Sequence, residues 1–573
     1  MKRFITLVLL CTIILQGIGQ GHDALKSSLE KFIPKQLNKH KVTGINVAVM
    51  IDNELVLSSG YGYADKENGI SVDEDTPFAI GSVSKIVTAT AVLKLYHEGK
   101  IDIDKPYTDY VPEFSMKRHF EGDQPFTVRH LLAHYAGLPR LNAKGFLLKE
   151  EKPQSRILDI SKEGYLISAP GIVNQYSDWG TDLLGFLVEK VSGQTIQGYV
   201  KKELFAPLGM TQSGYGKLTT KSYVRGIATP TYEYSFAGSD GVQSTAKDLV
   251  RLGQMYLNQG INKGIQFLSS SIAKEAFTPQ FLDAPLNFGK NDGLMWDIRQ
   301  FSRYTRISKG GIHEPFYTML YVIPEYNMTM AVCSNSNSNS AIHRAIYSKV
   351  IDYLKKVKEG SPIGLSVPDL KPVELTDAQL SKLEGLYSTN EGMVNMVKSG
   401  DKLKVTFAAN GKTLVAKPYS NNTLRLKFKL LGLIPIHVMD IFIEPVNGEM
   451  VVGEQYSNGR RSLGGVKMEK KRIPENWKLA VGTYKVSRAP QDEYQSIEEI
   501  ELKLNKYGVL QISGQVLYPR EFPIQLPINP ISGSEAIIPG YSFDFFAGET
   551  VELLEKNGQR TIKMSGYEFR KVD

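Results

Sequence analysis

The stretch Phe78-Ala79-Ile80-Gly81-Ser82-Val83-Ser84-Lys85 decides the interpretation of this sequence. It runs directly into a helical pattern from Ile86 to His97, which Gly99 ends. Ser82 therefore stands at the start of a predicted helix, three residues before Lys85. Side chains three residues apart share one face of a helix, so the pattern predicts contact between this hydroxyl and this amine.

This serine and this lysine are residue types suited to a nucleophile and its base. A serine hydroxyl reacts poorly at neutral pH and needs a base close by. Amide groups at a helix start carry partial positive charge, which favours an alkoxide at Ser82 and helps to lower the pKa of Lys85 towards the neutral amine that a base requires. Ser84 is less suitable, because adjacent helical residues point about 100° apart. The alternative is that Ser82 only caps the helix.

Strand-like runs flank a helical region in the first part of the chain. Residues 45–50 and 55–63 are joined by a turn at Asp52-Asn53, in the pattern of a hairpin. Helical segments follow, and strand-like runs then return at residues 304–308, 316–323 and 328–334, before a last helical stretch at residues 341–356. This order predicts an α+β domain over residues 22–358, with one antiparallel sheet built from both ends around a helical insertion.

The rest of the chain has a different pattern. Residues 359–374 are rich in glycine and proline, which is typical of an exposed linker. Residues 375–573 are short alternating runs separated by Asn-Gly turn signals, which indicates antiparallel hairpins. The motif ending in Gly385-Leu386-Tyr387 recurs 97 residues later as Gly482-Thr483-Tyr484. We therefore expect two β-barrel modules, residues 375–471 and 474–573.

Composition excludes several classes of protein. The 573 residues are 42% hydrophobic and 22% charged, as in an ordinary globular protein of several domains. The net charge of +8 is small and scattered along the chain, so the sequence gives no support for nucleic-acid binding.

The beginning of the chain resembles a targeting segment. Met1-Lys2-Arg3, the apolar run of residues 4–15 and the small residues that follow have the layout of a secretory signal peptide, residues 1–20. The apolar run is too short to cross a bilayer, which needs about 20 residues. We expect a periplasmic or secreted protein without stable membrane insertion. Lipidation at Cys11 is an alternative, although Leu9-Leu10 precede it where small residues are usual.

Further blocks give the first motif a family context. Phe78 to Lys85 resembles the Ser-x-x-Lys motif of the serine β-lactamase and penicillin-binding protein superfamily, above all the branch with class C β-lactamases, secreted esterases and D-aminopeptidases. Other blocks follow in the family's order, and they are residues 98–106, 128–139, 176–178, 237–249 and 309–311. The resemblance implies a β-lactamase/transpeptidase-like domain. It also implies lipocalin-like C-terminal barrels, because secreted D-aminopeptidases of this branch carry two.

The resemblance implies a role for each of a few residues. Ser82 would attack a carbonyl to form an acyl-enzyme, with Lys85 and the phenol of Tyr176 passing its proton to the leaving group. The charge of Lys309 would help the phenol to act as a base. The oxyanion would lie between the backbone amides of Ser82 and Ile312. No metal and no organic cofactor are implied.

Departures from the family pattern affect the expected substrate. Gly310 stands where carboxylate-recognising members have a hydroxyl, and Asp178 replaces an asparagine amide, so both changes weaken the case for a β-lactamase or a D-Ala-D-Ala carboxypeptidase. Glu314-Pro315 stands before Phe316 where glycine is usual, which predicts an irregular oxyanion strand. The candidate substrate and oxyanion residues are Lys309, Gly311, Ile312, Asp178 and His313.

Two competing motifs are weaker. His130 and His134 have the spacing of a zinc protease on a predicted helix over residues 129–134, but Leu131 stands where the general base is needed. We expect structural histidines. Residues 237–241 nearly match the Gly-x-Ser-x-Gly nucleophile elbow, yet no buried strand leads into them, so we expect a loop.

The sequence therefore predicts an exported serine hydrolase that forms an acyl-enzyme at Ser82 and acts on amide or peptide bonds, as a D-aminopeptidase or a related peptidase. Carboxylesterase activity and β-lactamase or DD-carboxypeptidase activity are alternatives within the same chemistry. A non-catalytic, penicillin-binding-like sensor is an alternative from another class. The expected partner is a small peptide, amide or ester, with an oligomer possible, and the barrels are expected to shape access to the cleft or to mediate oligomerisation.

Overall fold

The computed structural model describes residues 22–122, 124–141, 143, 147–148, 152–231, 233–234, 236–336, 340–358, 369–430, 434–487, 494–517, 521–541, 546–556 and 558–572. The predicted signal peptide with Cys11, and residues 359–368 of the predicted linker, lie outside the described residues. Within the described part of the chain, no helix is both long enough and apolar enough to span a membrane.

A seven-stranded antiparallel sheet forms the centre of the first domain. Its strands are β1 (Gly44–Ile51), β2 (Glu54–Asp65), β3 (Ile70–Ser71), β4 (Asp297–Gln300), β5 (Thr305–His313), β6 (Phe316–Ile323) and β7 (Met328–Ser334). They lie in the order β4-β5-β6-β7-β1-β2-β3, so the pairing of β1 with β7 joins the two ends of the segment. The predicted α+β fold, with its sheet built from both ends, is confirmed.

The helices lie mainly in the insertion between β3 and β4. In chain order they are α1 (residues 22–40), α2 (Ser84–His97), α3 (Val128–Leu132), α4 (Arg156–Glu163), α5 (Asp178–Ser192), α6 (Ile196–Val200), α7 (Ala206–Leu208), α8 (Ala246–Leu257), α9 (Ser270–Ala276), α10 (Ser340–Val357), α11 (Asp377–Leu383) and α12 (Glu475–Leu479). Helix α2 packs against α5 and has most of its residues buried. A helix buried nearly all round lies within a core rather than on a surface, which gives the residues at its start a fixed position.

Short paired strands complete the insertion. They are Phe78–Ala79 with Gln243–Ser244, Lys117–Arg118 with Tyr165–Leu166, Leu147–Leu148 with Glu233–Tyr234, Ser222–Val224 with Ile227–Thr229, and Ile261–Asn262 with Ile265–Gln266. The first of these pairs holds the chain just before Ser82 against the loop that precedes α8.

The predicted hairpin between β1 and β2 is confirmed, and its turn has a local cause. Asp52 and Asn53 both have positive φ, 51° and 67°. Two consecutive residues of this kind form the tight turn whose twist matches that of paired strands, and Asn and Asp adopt the conformation more readily than other non-glycine residues.

Two closed antiparallel barrels of eight strands each follow the first domain, so the predicted barrels are confirmed. The strands of barrel 1 are Gly385–Thr389, Gly392–Ser399, Lys402–Phe407, Thr413–Tyr419, Thr423–Leu430, Ile434–Val446, Glu449–Gln455 and Arg461–Lys467. The strands of barrel 2 are Gly482–Val486, Glu499–Leu504, Leu510–Val516, Phe522–Pro530, Glu535–Ile537, Thr550–Lys556, Gln559–Met564 and Tyr567–Lys571.

The weak internal repeat marks equivalent positions of the two barrels. Tyr387 and Tyr484 are fully buried in the first strand of their barrels. Each hydroxyl donates to a backbone carbonyl four residues earlier, that of Leu383 or Ala480, close to the end of the preceding short helix. The repeated tyrosine therefore fastens a helix to a barrel wall in both modules.

Both barrels pack against the first domain. The rings of Phe288 and Phe442 lie 4.6 Å apart between the first domain and barrel 1. The hydroxyl of Tyr165 donates to Glu552 in barrel 2 at 2.9 Å, and Leu141 belongs to the same buried apolar cluster as that barrel's core. These contacts hold both barrels against the first domain.

Candidate active site

Ser82 lies in a tight turn that packs against strand β5. The turn is a 3-10 helix, Gly81–Val83, that leads directly into α2. Gly81 has a φ of +53°, and a Cβ atom there would come within 2.6 Å of the backbone of Ile312. The turn therefore requires glycine for its conformation and for its close approach to the strand.

The predicted contact between Ser82 and Lys85 is present, and a tyrosine contacts the same serine oxygen. Lys85 Nζ donates to Ser82 Oγ at 3.1 Å, and the hydroxyl of Tyr176 donates to the same oxygen at 2.8 Å. The alternative of simple helix capping is not observed, because the turn and α2 have no side-chain cap hydrogen bond. Ser84, by contrast, is buried and accepts from the amide of Val242.

Lys85 is a buried cation with a close anionic partner. Its side chain is 1% exposed, and Nζ lies 2.6 Å from Asp178 Oδ1 and donates to the carbonyl of Ser239 at 2.8 Å. Burial lowers the pKa of Lys85, but the charges of Asp178 and Tyr176 outweigh burial and raise it above its ordinary value. The helix start predicted a lowered pKa for Lys85, but the carboxylate of Asp178, which the spacing of residues does not reveal, acts in the opposite direction.

Tyr176 is surrounded by cations. The charged groups of Lys309, Lys85 and Arg140 lie 5.2, 5.3 and 5.6 Å from the centroid of its ring. Such positions over an aromatic face are attractive, and they fix the ring as well. The ring of His134 packs on it with a centroid separation of 4.7 Å. The ring is thus fixed among three cations, and its phenol oxygen is held against Ser82.

Asp178 occupies the first turn of α5. Ser177 caps this helix, because its hydroxyl accepts from the amide of Gly180 at 2.9 Å. A carboxylate at a helix N-terminus is stabilised by the helix dipole. The second carboxylate oxygen of Asp178 lies 4.0 Å from Arg140 Nε. The negative charge of Asp178 is therefore balanced by Lys85, Arg140 and the helix N-terminus rather than isolated beside Ser82.

Strand β5 brings the remaining predicted residues to Ser82. A Cβ atom at Gly311 would lie 1.9 Å from the carbonyl oxygen of Ile80 and 2.9 Å from the amide nitrogen of Ser82. Only glycine permits this approach, which sets Ile312 beside the amide of the nucleophile. Strand β5 is continuous from Thr305 to His313 and pairs with β6 without a register shift. The predicted irregularity of this strand was wrong, because Glu314-Pro315 lies in the turn after it.

His313 pairs with a loop carboxylate. Its Nδ1 atom lies 2.9 Å from Asp240 Oδ1, and both residues are buried. The pair joins the end of β5 to the loop of residues 237–241, which the sequence predicted to be a loop. That same loop supplies the Ser239 carbonyl to Lys85. The loop of residues 237–241 therefore lies at the site, where it accepts a hydrogen bond from Lys85.

The two histidines of the zinc-protease pattern do not share a helix. Helix α3 ends at Leu132, and His134 follows it with a φ of +61°. Thr127 caps α3, and His130 completes the capping box by accepting from the Thr127 amide at its Nδ1 atom, at 3.1 Å. His134 is buried against Tyr176 and lines the cavity, and burial with nearby lysines lowers its pKa well below the ordinary value. The prediction of one helix for both was wrong, whereas both are packed or hydrogen-bonded as expected.

A cavity of about 960 Å³ opens above Ser82. This lies at the upper end of the range for ligand sites, which is about 300–1,000 Å³. Most of its wall comes from the first domain, but both barrels contribute, and their residues are Asn390, Arg460, Ser462 and Phe522. No motif in the sequence marked Arg140 or these barrel residues, because their place in the cavity depends on domain packing. Ser239 and Asp240 belong to the family block of residues 237–249, but the block assigned them no role.

The family model described as Beta-lactamase matches residues 29–352, more than half of the chain. The chain belongs to the Beta-lactamase family. This Beta-lactamase family member is 31% identical over 227 residues to the "Putative penicillin-binding protein PbpX" of Bacillus subtilis (strain 168). The match covers 39% of this chain and 54% of that relative, so it spans about half the length of the relative.

Two solved structures are similar to this Beta-lactamase family member in fold. One is the octameric penicillin-binding protein homologue from Pyrococcus abyssi, with a TM-score of 0.51 and 22% identity, covering 77% of this chain and 99% of that one. The other is SurE with D-Leu, with a TM-score of 0.56 and 19% identity, covering 78% of this chain and all of that one. At these identities the likeness concerns the fold alone.

Proposed function

We propose that this protein is a serine hydrolase that forms an acyl-enzyme at Ser82 and cleaves amide or peptide bonds. The observation that carries the proposal is the position of Ser82 Oγ, 2.8 Å from the Tyr176 hydroxyl and 3.1 Å from Lys85 Nζ. A nucleophile within hydrogen-bond reach of a candidate base, with that base fixed by further contacts, is the arrangement that covalent catalysis requires.

Tyr176, rather than Lys85, is the better candidate for the base. Lys85 is paired with Asp178 and its pKa is raised, so it carries its proton and cannot accept another. A phenolate at Tyr176 would be attracted to the charges of Lys85 and Lys309 and would take the proton of Ser82 as it attacks. The same phenol would then give this proton to the leaving group.

The turn at Ser82 and strand β5 supply an oxyanion site. The close approach of Gly311 to the nucleophile turn sets the backbone around Ile312 next to the Ser82 amide. Two backbone donors at a developing oxyanion contribute strongly, since loss of one such donor typically costs about 100- to 1,000-fold in rate.

The surroundings of Ser82 favour a D-aminopeptidase or a related peptidase. Gly310 offers no hydroxyl to a carboxylate next to the scissile bond, and Asp178 is engaged by Lys85. Both features lower the expected reactivity towards β-lactams and D-Ala-D-Ala. The structure of SurE with D-Leu, a relative in fold, makes a D-configured residue the first substrate to test. Export through residues 1–20 is part of the proposal and rests on the sequence pattern.

Labelling with a fluorophosphonate tests the acyl-enzyme proposal. The purified protein should be labelled at Ser82, as located by peptide mass spectrometry, and Ser82→Ala should not be labelled. Ser84→Ala, a change of the adjacent serine, is the matched control and should still react. An intact fold without labelling would favour the non-catalytic sensor.

A substrate screen separates the hydrolase alternatives. D-Leu and L-Leu p-nitroanilides, p-nitrophenyl esters and a chromogenic cephalosporin should be compared on the same preparation. We expect the highest kcat/KM with the D-configured anilide. Rapid turnover of the cephalosporin would instead favour a β-lactamase, and turnover of esters alone would favour a carboxylesterase.

A further inference from the structure

Two arginines from different domains lie in the wall of the catalytic cavity. Arg299 belongs to β4 at the edge of the sheet, and Arg460 directly precedes the last strand of barrel 1. The Arg460 guanidinium lies 4.3 Å from the centroid of the Tyr456 ring, and its backbone amide donates to Asn458 Oδ1 at 3.2 Å. The hairpin therefore holds Arg460 in place at the cavity.

The other three lysine and arginine residues of the described cavity wall each have an anionic partner. The closest pairs are Lys290 with Asp292 at 3.5 Å, Lys309 with Asp297 at 4.0 Å, and Arg140 with Asp178 at 4.0 Å. In the part of the chain that the structure describes, neither Arg299 nor Arg460 forms an ion pair with a carboxylate. The carboxylates of Asp297 and Asp292 act on Arg299 only from beyond ion-pair distance, so neither guanidinium is engaged directly by a carboxylate among the described residues.

The two arginines line the same cavity, and their charges act on each other. Burial lowers the pKa of Arg299, and the charge of Arg460 lowers it further. Like charges that face each other across a domain contact are unfavourable unless an anion lies between them. A guanidinium also presents paired donors that match a carboxylate in two parallel hydrogen bonds. The chemistry of the pair is therefore that of an anion subsite.

The register of the sheet gives the separation of Arg299 from the nucleophile turn along the strands. Arg299 is paired with Arg306, five residues before Gly311 on β5, and Gly311 abuts the nucleophile turn. At about 3.4 Å per residue, this strand separation is roughly 17 Å. An extended peptide covers that length in about five residues.

We propose that Arg299 and Arg460 bind an anionic group that a peptide substrate carries about five residues from the bond attacked by Ser82. The inference rests on the proposed acyl-enzyme function and adds a substrate class, extended peptides with a distant carboxylate. It assigns barrel 1 a direct part in specificity. A carboxylate held there also reconciles the absent hydroxyl at Gly310 with an anionic substrate, because recognition no longer occurs beside the scissile bond.

Binding to the inactive Ser82→Ala protein tests the subsite without requiring turnover. Two pairs of peptides are compared by calorimetry. The leaving-group pair is D-Ala-Gly-Gly-Gly-Gly with a free carboxylate or a C-terminal amide. The acyl pair is succinyl-Ala-Ala-Ala-p-nitroanilide, which carries a carboxylate, and acetyl-Ala-Ala-Ala-p-nitroanilide, which does not. We expect the carboxylate form of one pair to bind about tenfold tighter at low salt, as for hydrogen bonds to a charged group. The pair that shows this preference identifies whether the anionic group lies on the acyl side or on the leaving-group side of the scissile bond.

The arginine variants assign the effect. In the Ser82→Ala background, Arg460→Gln and Arg299→Gln should each remove most of the preference. Arg303→Gln, an exposed arginine of the β4–β5 turn outside the cavity wall, should keep it. Equal affinity within both pairs, or an unchanged preference in both variants with a wild-type unfolding midpoint, would overturn the inference. Absent fluorophosphonate labelling of the wild type would instead refute the hydrolase proposal, since this binding test does not depend on it.

Discussion

Lys85 Nζ and Asp178 Oδ1 lie 2.6 Å apart, inside the protein and directly beside the candidate nucleophile. The pair joins the first turn of α2 to the first turn of α5. Because it keeps the buried lysine charged, the proposed mechanism assigns the role of base to Tyr176. The substitution of Asp for the family's Asn thus changes the electrostatics of the site and not only its hydrogen bonds.

Replacing Asp178 with Asn should move the alkaline limit of activity. The raised pKa of Lys85 keeps its charge over the ordinary pH range, and the charge is lost only as pH rises through that pKa. Without the carboxylate, burial lowers the pKa of Lys85, so the charge is lost at lower pH. We expect the alkaline limb of kcat/KM to move down by on the order of one pH unit or more. Asp159→Asn, an exposed carboxylate on α4, is the control, and an unmoved limb would contradict this assignment.

Removal of the Tyr176 hydroxyl should abolish most of the acylation rate. Tyr176→Phe keeps the ring and its cationic neighbours but removes the atom 2.8 Å from Ser82 Oγ. A positioned acid or base contributes about 100- to 10,000-fold, so kcat should fall in this range with little change in KM. Tyr317→Phe, which lines the same cavity with its hydroxyl 3.6 Å from Met319 Sδ, should leave kcat near the wild-type value. Equal effects of the two changes would exclude Tyr176 as the base.

A methyl group at Gly311 should displace the oxyanion site. The added Cβ atom would lie 1.9 Å from the Ile80 carbonyl oxygen, so β5 must move away from the nucleophile turn. We expect Gly311→Ala to reduce kcat about 100-fold or more, as for the loss of one oxyanion donor. At the neighbouring Gly310 the added atom meets the flexible side chain of Met319, so Gly310→Ala should cost far less. The ratio of the two kcat values measures the effect.

Buried His343 should make the protein less stable in acid. It is fully buried with Nε2 3.1 Å from Ser334 Oγ, and burial lowers its pKa to about 3. The unfolded chain, with an ordinary histidine pKa of about 6.5, binds a proton more readily, so stability falls as pH drops below that value. Denaturant unfolding at pH 7 and 4.5 should show a smaller pH dependence in His343→Gln than in the wild type. His97→Gln, at the end of α2, should retain the full dependence.

Local patterns in the sequence predicted much of the fold for identifiable reasons. Asp52 and Asn53 adopt the turn that their side chains favour, and the spacing of Ser82 and Lys85 places them in contact because the turn leads into a helix. The repeated tyrosines, Tyr387 and Tyr484, marked equivalent positions of two barrels. The helix at His134 was predicted wrongly, because burial against Tyr176 outweighed the helical pattern.

The residue types of the site and their order follow from the local sequence, because a short turn and a helix fix the neighbours of Ser82 along the chain. The charges and contacts of these residues depend on the tertiary structure. Asp178 sets the charge of Lys85 from another helix, and Arg460 reaches the cavity from another domain. Electrostatic interactions depend on distance through space and on burial, and neither quantity is written in the spacing of residues along the chain.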